Sequence, residues 1–184
     1  MTPALVLLGL LLAGPPEKLV FSADPAASAV RFHVVHKLHK VEGSSKSVEG
    51  KVVVEPDGRV MAMVRIPIAS FDSGDANRDA HMRETLEQGR FPHVVFKGVS
   101  KLVGPLERGA STNTTLAGEL EFHGMKQRVE VPVSIAYAAD GSAGVRGTMK
   151  ISLEAYRVER PSLLFVKVDD DCRIEFDLRM RNSP

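Results

Sequence analysis

From residue 29 onward the chain alternates apolar and polar side chains with a period of two, the mark of half-buried strands. Over Ala29 to His39, Val30, Phe32, Val34, His36 and Leu38 share one face, while Arg31, His33, Val35, Lys37 and His39 share the other. Glu42-Gly43-Ser44-Ser45 reads as a turn. A second strand sets Val48, Gly50, Val52 and Val54 against Glu49, Lys51, Val53 and Glu55. Pro56-Asp57-Gly58 then closes a hairpin, because Pro presets φ and Gly accepts positive φ. A third strand, Val60 to Ala69, turns Val64, Ile66 and Ile68 one way. Later strands place Val94, Phe96 and Gly98; then Leu116, Gly118, Leu120 and Phe122; then Val129, Val131, Val133, Ile135 and Tyr137 on their apolar faces. The last two carry Val145, Gly147, Met149, Ile151 and Leu153, and Cys172, Ile174, Phe176, Leu178 and Met180.

Eight strands with one apolar and one charged face leave two open edges and a bare apolar face if laid flat. Closure removes both. The pattern therefore predicts an eight-stranded antiparallel barrel, with an open two-sheet sandwich as the alternative. One stretch interrupts the alternation. Ser70 to Phe96 gathers Asp, Gly, Asn and Arg into a turn and runs into a short helix near Asp75–Glu87, stopped by Arg90-Phe91-Pro92. Asp75 suits its N-cap.

A barrel of eight strands is either filled by side chains or able to hold one small ligand. The inward set includes Gly50, Gly98, Gly118 and Gly147. These glycines either relieve strain where the wall bends or leave a hollow, and the pattern supports both readings. The other inward residues are apolar, with His36 the main polar exception, so a hollow would take an apolar or amphiphilic small molecule. The candidate cavity wall is Phe32, Val34, His36, Gly50, Val52, Val64, Phe96, Gly118, Leu120, Val131, Met149 and Phe176.

The beginning of the chain reads differently. Ala4 to Ala13 is an apolar run of signal-peptide length, far short of the ~20 residues needed to span a bilayer, and small residues follow at Ala13-Gly14. No Lys or Arg precedes it. The expectation is a leader over residues 1–22, a barrel domain over 23–184, and export to the periplasm or the medium, with no transmembrane segment.

Composition removes several functions. The chain has 184 residues, 24 basic and 23 acidic, for a net charge of +1, so no basic face awaits nucleic acid. It has no Trp and two Tyr, too few for a base-stacking platform. Cys172 is its one cysteine, which excludes an internal disulfide and a cysteine metal cluster.

Three groups invite chemistry. On one continuous strand His36 points away from His33 and His39, which would stand roughly 20 Å apart at ~3.3 Å per residue; no metal site is expected. Asp75, Asn77 and Asp79 match the opening of a calcium loop, but Ala80 stands where Gly is needed and Leu86 where Glu is needed. Asp72, Asp79 and His81 offer an acid and a base for hydrolysis, yet no accompanying nucleophile motif is present. The simpler role for Asp72, Arg78, Asp79 and His81 is a polar network pinning the helix at the barrel mouth.

Ser70-Phe71-Asp72-Ser73-Gly74, Asn77-Arg78-Asp79-Ala80-His81-Met82-Arg83, Phe91-Pro92 and Phe96 together resemble the central signature of the YceI-like family. Leu116 to Gly124, continuing into Val129 to Val133, is similar to its second signature. Asp24-Pro25, Ser28, Val30, Phe32 and His36 resemble its opening strand. The resemblance covers residues 24 to 180. It implies a lipocalin-like barrel in the bacterial periplasm that holds a polyisoprenoid or another long-chain amphiphile, without catalysis and without a cofactor. It also implies that Arg78, Asp79 and His81 lie near the mouth. Two places depart from the family pattern: Gly43-Ser44-Ser45 replaces Gly-x-Phe, and Leu86-Glu87 replaces Phe and Asp. Barrels of this kind often pair, so a homodimer is a further expectation. The competing expectations are a hydrolase using Asp72, Asp79 and His81, and a filled barrel with a structural role.

Overall fold

The alternation is carried by twelve strands and one α-helix in a computed structural model, which describes residues 17–183 apart from 37–38, 105, 161 and 164–165; side chains at 36–40 and 161–167 also fall outside the description. In chain order the elements are β1 (Leu19–Ala23), β2 (Ala29–His36), β3 (His39–Ser45), β4 (Glu49–Val54), β5 (Arg59–Pro67), α1 (Ala76–Thr85), β6 (His93–Lys101) and β7 (Ser111–Phe122). They continue with β8 (Met125–Tyr137), β9 (Ala143–Ser152), the short pair β10 (Ser162–Leu163) and β11 (Val166–Lys167), and β12 (Asp171–Asn182).

Strands β1, β4, β5, β6, β7, β8, β9 and β12 pair in that order, and β12 returns to β1, so the sheet closes on itself. Strands β2 and β3 do not add staves. β12 pairs β1 over Met180 to Asn182 and β2 over Cys172 to Asp177, along the same edge. β1 and β2 are thus one stave broken at Pro25–Ala27, and β3 and β4 are its neighbour, broken between Ser45 and Glu49. The result is the eight-stranded antiparallel barrel the pattern predicts.

The break in the first stave accounts for Asp24 and Ser28. Where the chain leaves the ladder, Asp24 N donates to Arg179 O at 2.8 Å and Arg179 N donates to Ser28 Oγ at 3.0 Å, so both backbone groups of Arg179 are satisfied. The barrel also begins earlier than the boundary at residue 23. Leu19–Ala23 pairs with both β4 and β12, and Phe21 is 2% exposed. Its alternation is hidden in the sequence because Leu19, Val20 and Phe21 are apolar in succession.

A second difference lies in the first hairpin. The alternation suggests a strand through His39 and a turn at Glu42–Ser45; instead His36 pairs with His39, and 39–45 is strand. Gly43 serves a cross-strand contact, since the ring of its partner Phe32 fills the space where a Cβ would stand, 2.5 Å from Phe32 Cε1. The ~20 Å separation of His33 and His39 therefore does not hold, although the side chains of His36 and His39 lie outside the described residues. The turn between β7 and β8 is His123-Gly124, both at positive φ (49° and 71°), the combination that matches the right-handed twist of a two-residue hairpin.

One end of the barrel is packed solid. Phe21, Val54, Val60, Leu102, Ile135, Tyr137 and Ala143 are all buried there, and Phe21 meets Tyr137 edge to face with centroids 5.7 Å apart. At the other end β3 does not pair with β5; a backbone bridge from Ser44 to Asp72 and a contact of Ser45 Oγ with Ser70 Oγ tie it to the segment carrying α1. That is where the barrel is open.

Candidate ligand cavity and its mouth

Between the packed end and α1 lies a cavity of about 560 Å³, within the size of typical small-molecule sites. Its existence follows from which inward residues remain half-buried. Phe32, Val34, Val64, Phe96, Val145, Met149, Ile174 and Phe176 point into the barrel by register, yet none is buried. They face space instead of one another.

Of the twelve wall residues expected from sequence, Phe32, Val34, Val52, Val64, Phe96, Leu120, Val131, Met149 and Phe176 line this space. The side chain of His36 lies outside the described residues. Gly50 and Gly118 do not line it, and the reason settles which role the glycines play. A Cβ on Gly118 would stand 2.6 Å from Gly98 Cα and closer still to Lys97 O, so Gly118 permits the close approach of β6 and β7. A Cβ on Gly50 would meet Ala23 Cβ at 3.3 Å. At Gly98 and Gly147 the rings of Phe96 and Phe176 lie over the bare backbone. The glycines are covered by packed rings and backbone, and the hollow lies beyond them. Phe71, Met82, Leu86, Leu153, Val158 and Val168 also line the cavity; these lie outside the alternating runs or at their ends, where period two gives no signal.

The mouth is built by Ser70 to Leu86. Asp75 Oδ1 accepts from Asn77 N at 2.9 Å and Arg78 N at 3.0 Å, capping α1. These backbone bonds, that of Arg78 first, hold the Asp75 carboxyl below its ordinary range. Asp79 is buried and accepts from Ser73 N at 3.1 Å and Ser73 Oγ at 2.5 Å. Arg78 grips the same serine, with Nε donating to Ser73 Oγ at 2.8 Å and Nη2 to Ser73 O at 2.7 Å. Asp72 Oδ1 accepts from Gly74 N at 2.7 Å, and the Asp72 backbone pairs with Ser44 at 2.8 and 2.9 Å. His81 stands outside this web; its Nδ1 lies 3.9 Å from exposed Glu84.

Asp72, Arg78 and Asp79 thus act together through Ser73 and the adjacent turn. Asp72, Asp79 and His81, which offered an acid and a base for hydrolysis, each find a different partner. Asp75, Asn77 and Asp79 do not converge on one point either: Asp75 serves the helix cap and Asp79 serves Ser73.

Both departures from the family pattern fall at this mouth. Ser44 makes the bridge to Asp72, and Ser45 Oγ lies 2.7 Å from Ser70 Oγ. Leu86 lines the cavity, while Glu87, at φ 45°, brings Oε1 to 3.6 Å from His123 Nε2. His123 Nδ1 lies 3.0 Å from Tyr156 O, and its ring meets Phe91 edge to face. The far end of the helical segment is therefore fastened to the β7–β8 turn. Deep in the wall, burial pushes the Cys172 thiol up to about 12.

Solved structures share this architecture. A polyisoprenoid binding domain from Saccharophagus degradans superposes with a TM-score of 0.75 at 18% identity, covering 90% of this chain and 99% of that one. BcnA of Burkholderia cenocepacia gives 0.72 at 23% identity, over 85% and 98% of the two chains. The Campylobacter jejuni YCEI protein gives 0.60 at 18% identity, over 78% and 85%. No curated protein sequence matches the chain significantly. The family model described as the YceI-like domain matches residues 21–180, nearly the whole barrel. The chain belongs to the YceI-like family.

Proposed function

We propose that the protein binds a polyisoprenoid or another long-chain amphiphile inside the barrel and sequesters or carries it without catalysis. The observation that carries this reading is the cavity itself: about 560 Å³ of space walled by valine, leucine, isoleucine, methionine and phenylalanine, packed shut at one end and reached from α1 at the other. A relative of the same fold is described as a polyisoprenoid binding domain, which agrees with that chemistry. Burial is worth ~0.8 kcal/mol per methylene, so a five-carbon isoprene unit contributes roughly 4 kcal/mol gross. About five units already reach the practical ceiling near 18–21 kcal/mol, so a longer chain gains little from complete enclosure.

The apolar run Ala4 to Ala13 supports export to the periplasm or medium as part of the same reading, since a carrier of membrane-derived chains works beside a membrane. No described helix is long and apolar enough to cross one.

Native mass spectrometry of the purified protein, followed by solvent extraction and identification of what leaves, tests the proposal. A one-to-one adduct whose extract is a long-chain lipid is expected. Protein that stays ligand-free after exposure to membrane extract would overturn it. Light scattering on the same sample reads whether two barrels pair, and cell fractionation reads export.

A further inference from the structure

A helix that covers an apolar cavity ordinarily turns an apolar stripe toward it. α1 does not. The residues it presents to the cavity are Arg78, His81, Met82 and Thr85, spaced i, i+3, i+4 and i+7 along one face, so three of the four are polar. Elsewhere the lining is apolar apart from Ser73, the Cys172 thiol and exposed Glu159. Three of the six polar residues that line the cavity thus share one face of one helix.

Arg78 is the centre of that face. Its guanidinium is fixed by two bonds to Ser73, which use two of its five N–H groups and leave three. The acidic groups of this segment have other contacts: Asp72 accepts from Gly74 N, Asp75 caps the helix and Asp79 accepts from Ser73, while exposed Glu84 stands 3.9 Å from His81 and exposed Glu159 lines the cavity without an ion pair to Arg78. Among the described residues no carboxylate pairs with Arg78, although it is half-buried against an apolar cavity. A fixed guanidinium with free donors beside a low-dielectric space favours a planar or tetrahedral oxyanion over a neutral head.

We propose that the mouth is an oxyanion site, with Arg78 as the charged contact and His81 and Thr85 as flanking donors, so that the protein selects acidic long-chain amphiphiles, carboxylates or phosphates, over neutral ones. The inference rests on the reading that the chain of the ligand occupies the cavity. Ser73 acts as the positioning residue that aims the guanidinium.

Matched ligands separate the two. Calorimetry on the delipidated full chain compares palmitic acid with palmitamide, and farnesyl phosphate with farnesol, at mildly alkaline pH. Each acid is expected to bind at least about tenfold more tightly than its neutral partner, the ratio of a charge-assisted hydrogen bond. Whichever acid shows the larger ratio identifies the head as carboxylate or phosphate. Arg78→Gln should bring the ratio of acid to neutral affinity to near one; Arg78→Lys should keep part of it. Equal affinities for acid and neutral partner in the unaltered protein overturn the oxyanion site and leave the cavity reading standing; that comparison needs no variant to fold. An unchanged ratio in a folded Arg78→Gln protein also overturns it. Failure of all four ligands to bind overturns both.

Discussion

The ring of Phe176 lies over Gly147, its cross-strand partner on β9, in the space a side chain would occupy. A Cβ there would also stand 2.6 Å from Pro132 O on β8. The glycine and the ring form one unit of wall. Gly147→Ala is expected to lower stability by about 1–3 kcal/mol, the usual cost of overpacking. Phe176→Leu in the same chain should recover the part due to the ring and not the part due to the carbonyl. Urea unfolding of the two single variants and the double variant measures the coupling, expected at about 0.5–3 kcal/mol; strict additivity would count against the contact.

Val145 faces the hollow from β9 and is half-buried for that reason. Val145→Phe should keep the barrel while taking the room of at least two methylenes of a bound chain. That is worth roughly 1.6 kcal/mol, a loss of about fifteenfold in affinity. Displacement of a fluorescent fatty chain measures it, with a thermal melt as the control for folding. Unchanged affinity would place the chain elsewhere. Gly118 is the wrong position for such a test, because a side chain there would strike the backbone of Lys97 and Gly98.

The Asp75 cap gives the mouth an acid sensitivity whose sign is fixed. Its folded-state pKa lies below the unfolded value of about 3.9 because the amides of Arg78 and Asn77 bond the charged form. Its contribution to stability is therefore complete above that unfolded value and is lost as pH falls through the folded one. Asp75→Asn still caps but does not titrate. The stability difference between the unaltered protein and this variant should shrink as pH falls below about 4. Amide exchange at Asn77 and Arg78 reports it locally, and a difference that grows on acidification would contradict the assignment.

Cys172 lines the cavity from β12, buried, with its thiol pushed up to about 12 by that burial. A charged, water-soluble thiol reagent should leave the folded protein almost unlabelled near neutral pH and label it fully in denaturant. A small apolar alkylating reagent should react slowly through the mouth and more slowly still once a long chain is bound. Rapid labelling by the charged reagent would mean the wall opens to water.

Local pattern determined the strands, the polar interruption between Ser70 and Phe96, the Asp75 cap and most of the cavity wall. Each depends on short-range chemistry: alternation chooses the buried face, and an Asp before a helical run caps it. Leu19–Ala23 was concealed because three successive apolar residues, Leu19 to Phe21, hide the period. The hairpin at His36 and His39 was missed because Gly43 reads as a turn residue when its role is to admit the ring of Phe32.

What the sequence could not decide is which surfaces meet after the barrel closes. Gly98, Gly118 and Gly147 look alike along the chain, and only the folded wall shows that Phe96 of its own strand covers Gly98 while cross-strand backbone and the Phe176 ring cover Gly118 and Gly147. Asp72, Asp79 and His81 look like a catalytic set, but the turn at Ser73 and Gly74 sends each to a different partner. Whether eight strands enclose a filled core or a hollow depends on how far opposite walls stand apart, a distance set by closure and register and carried by no single residue.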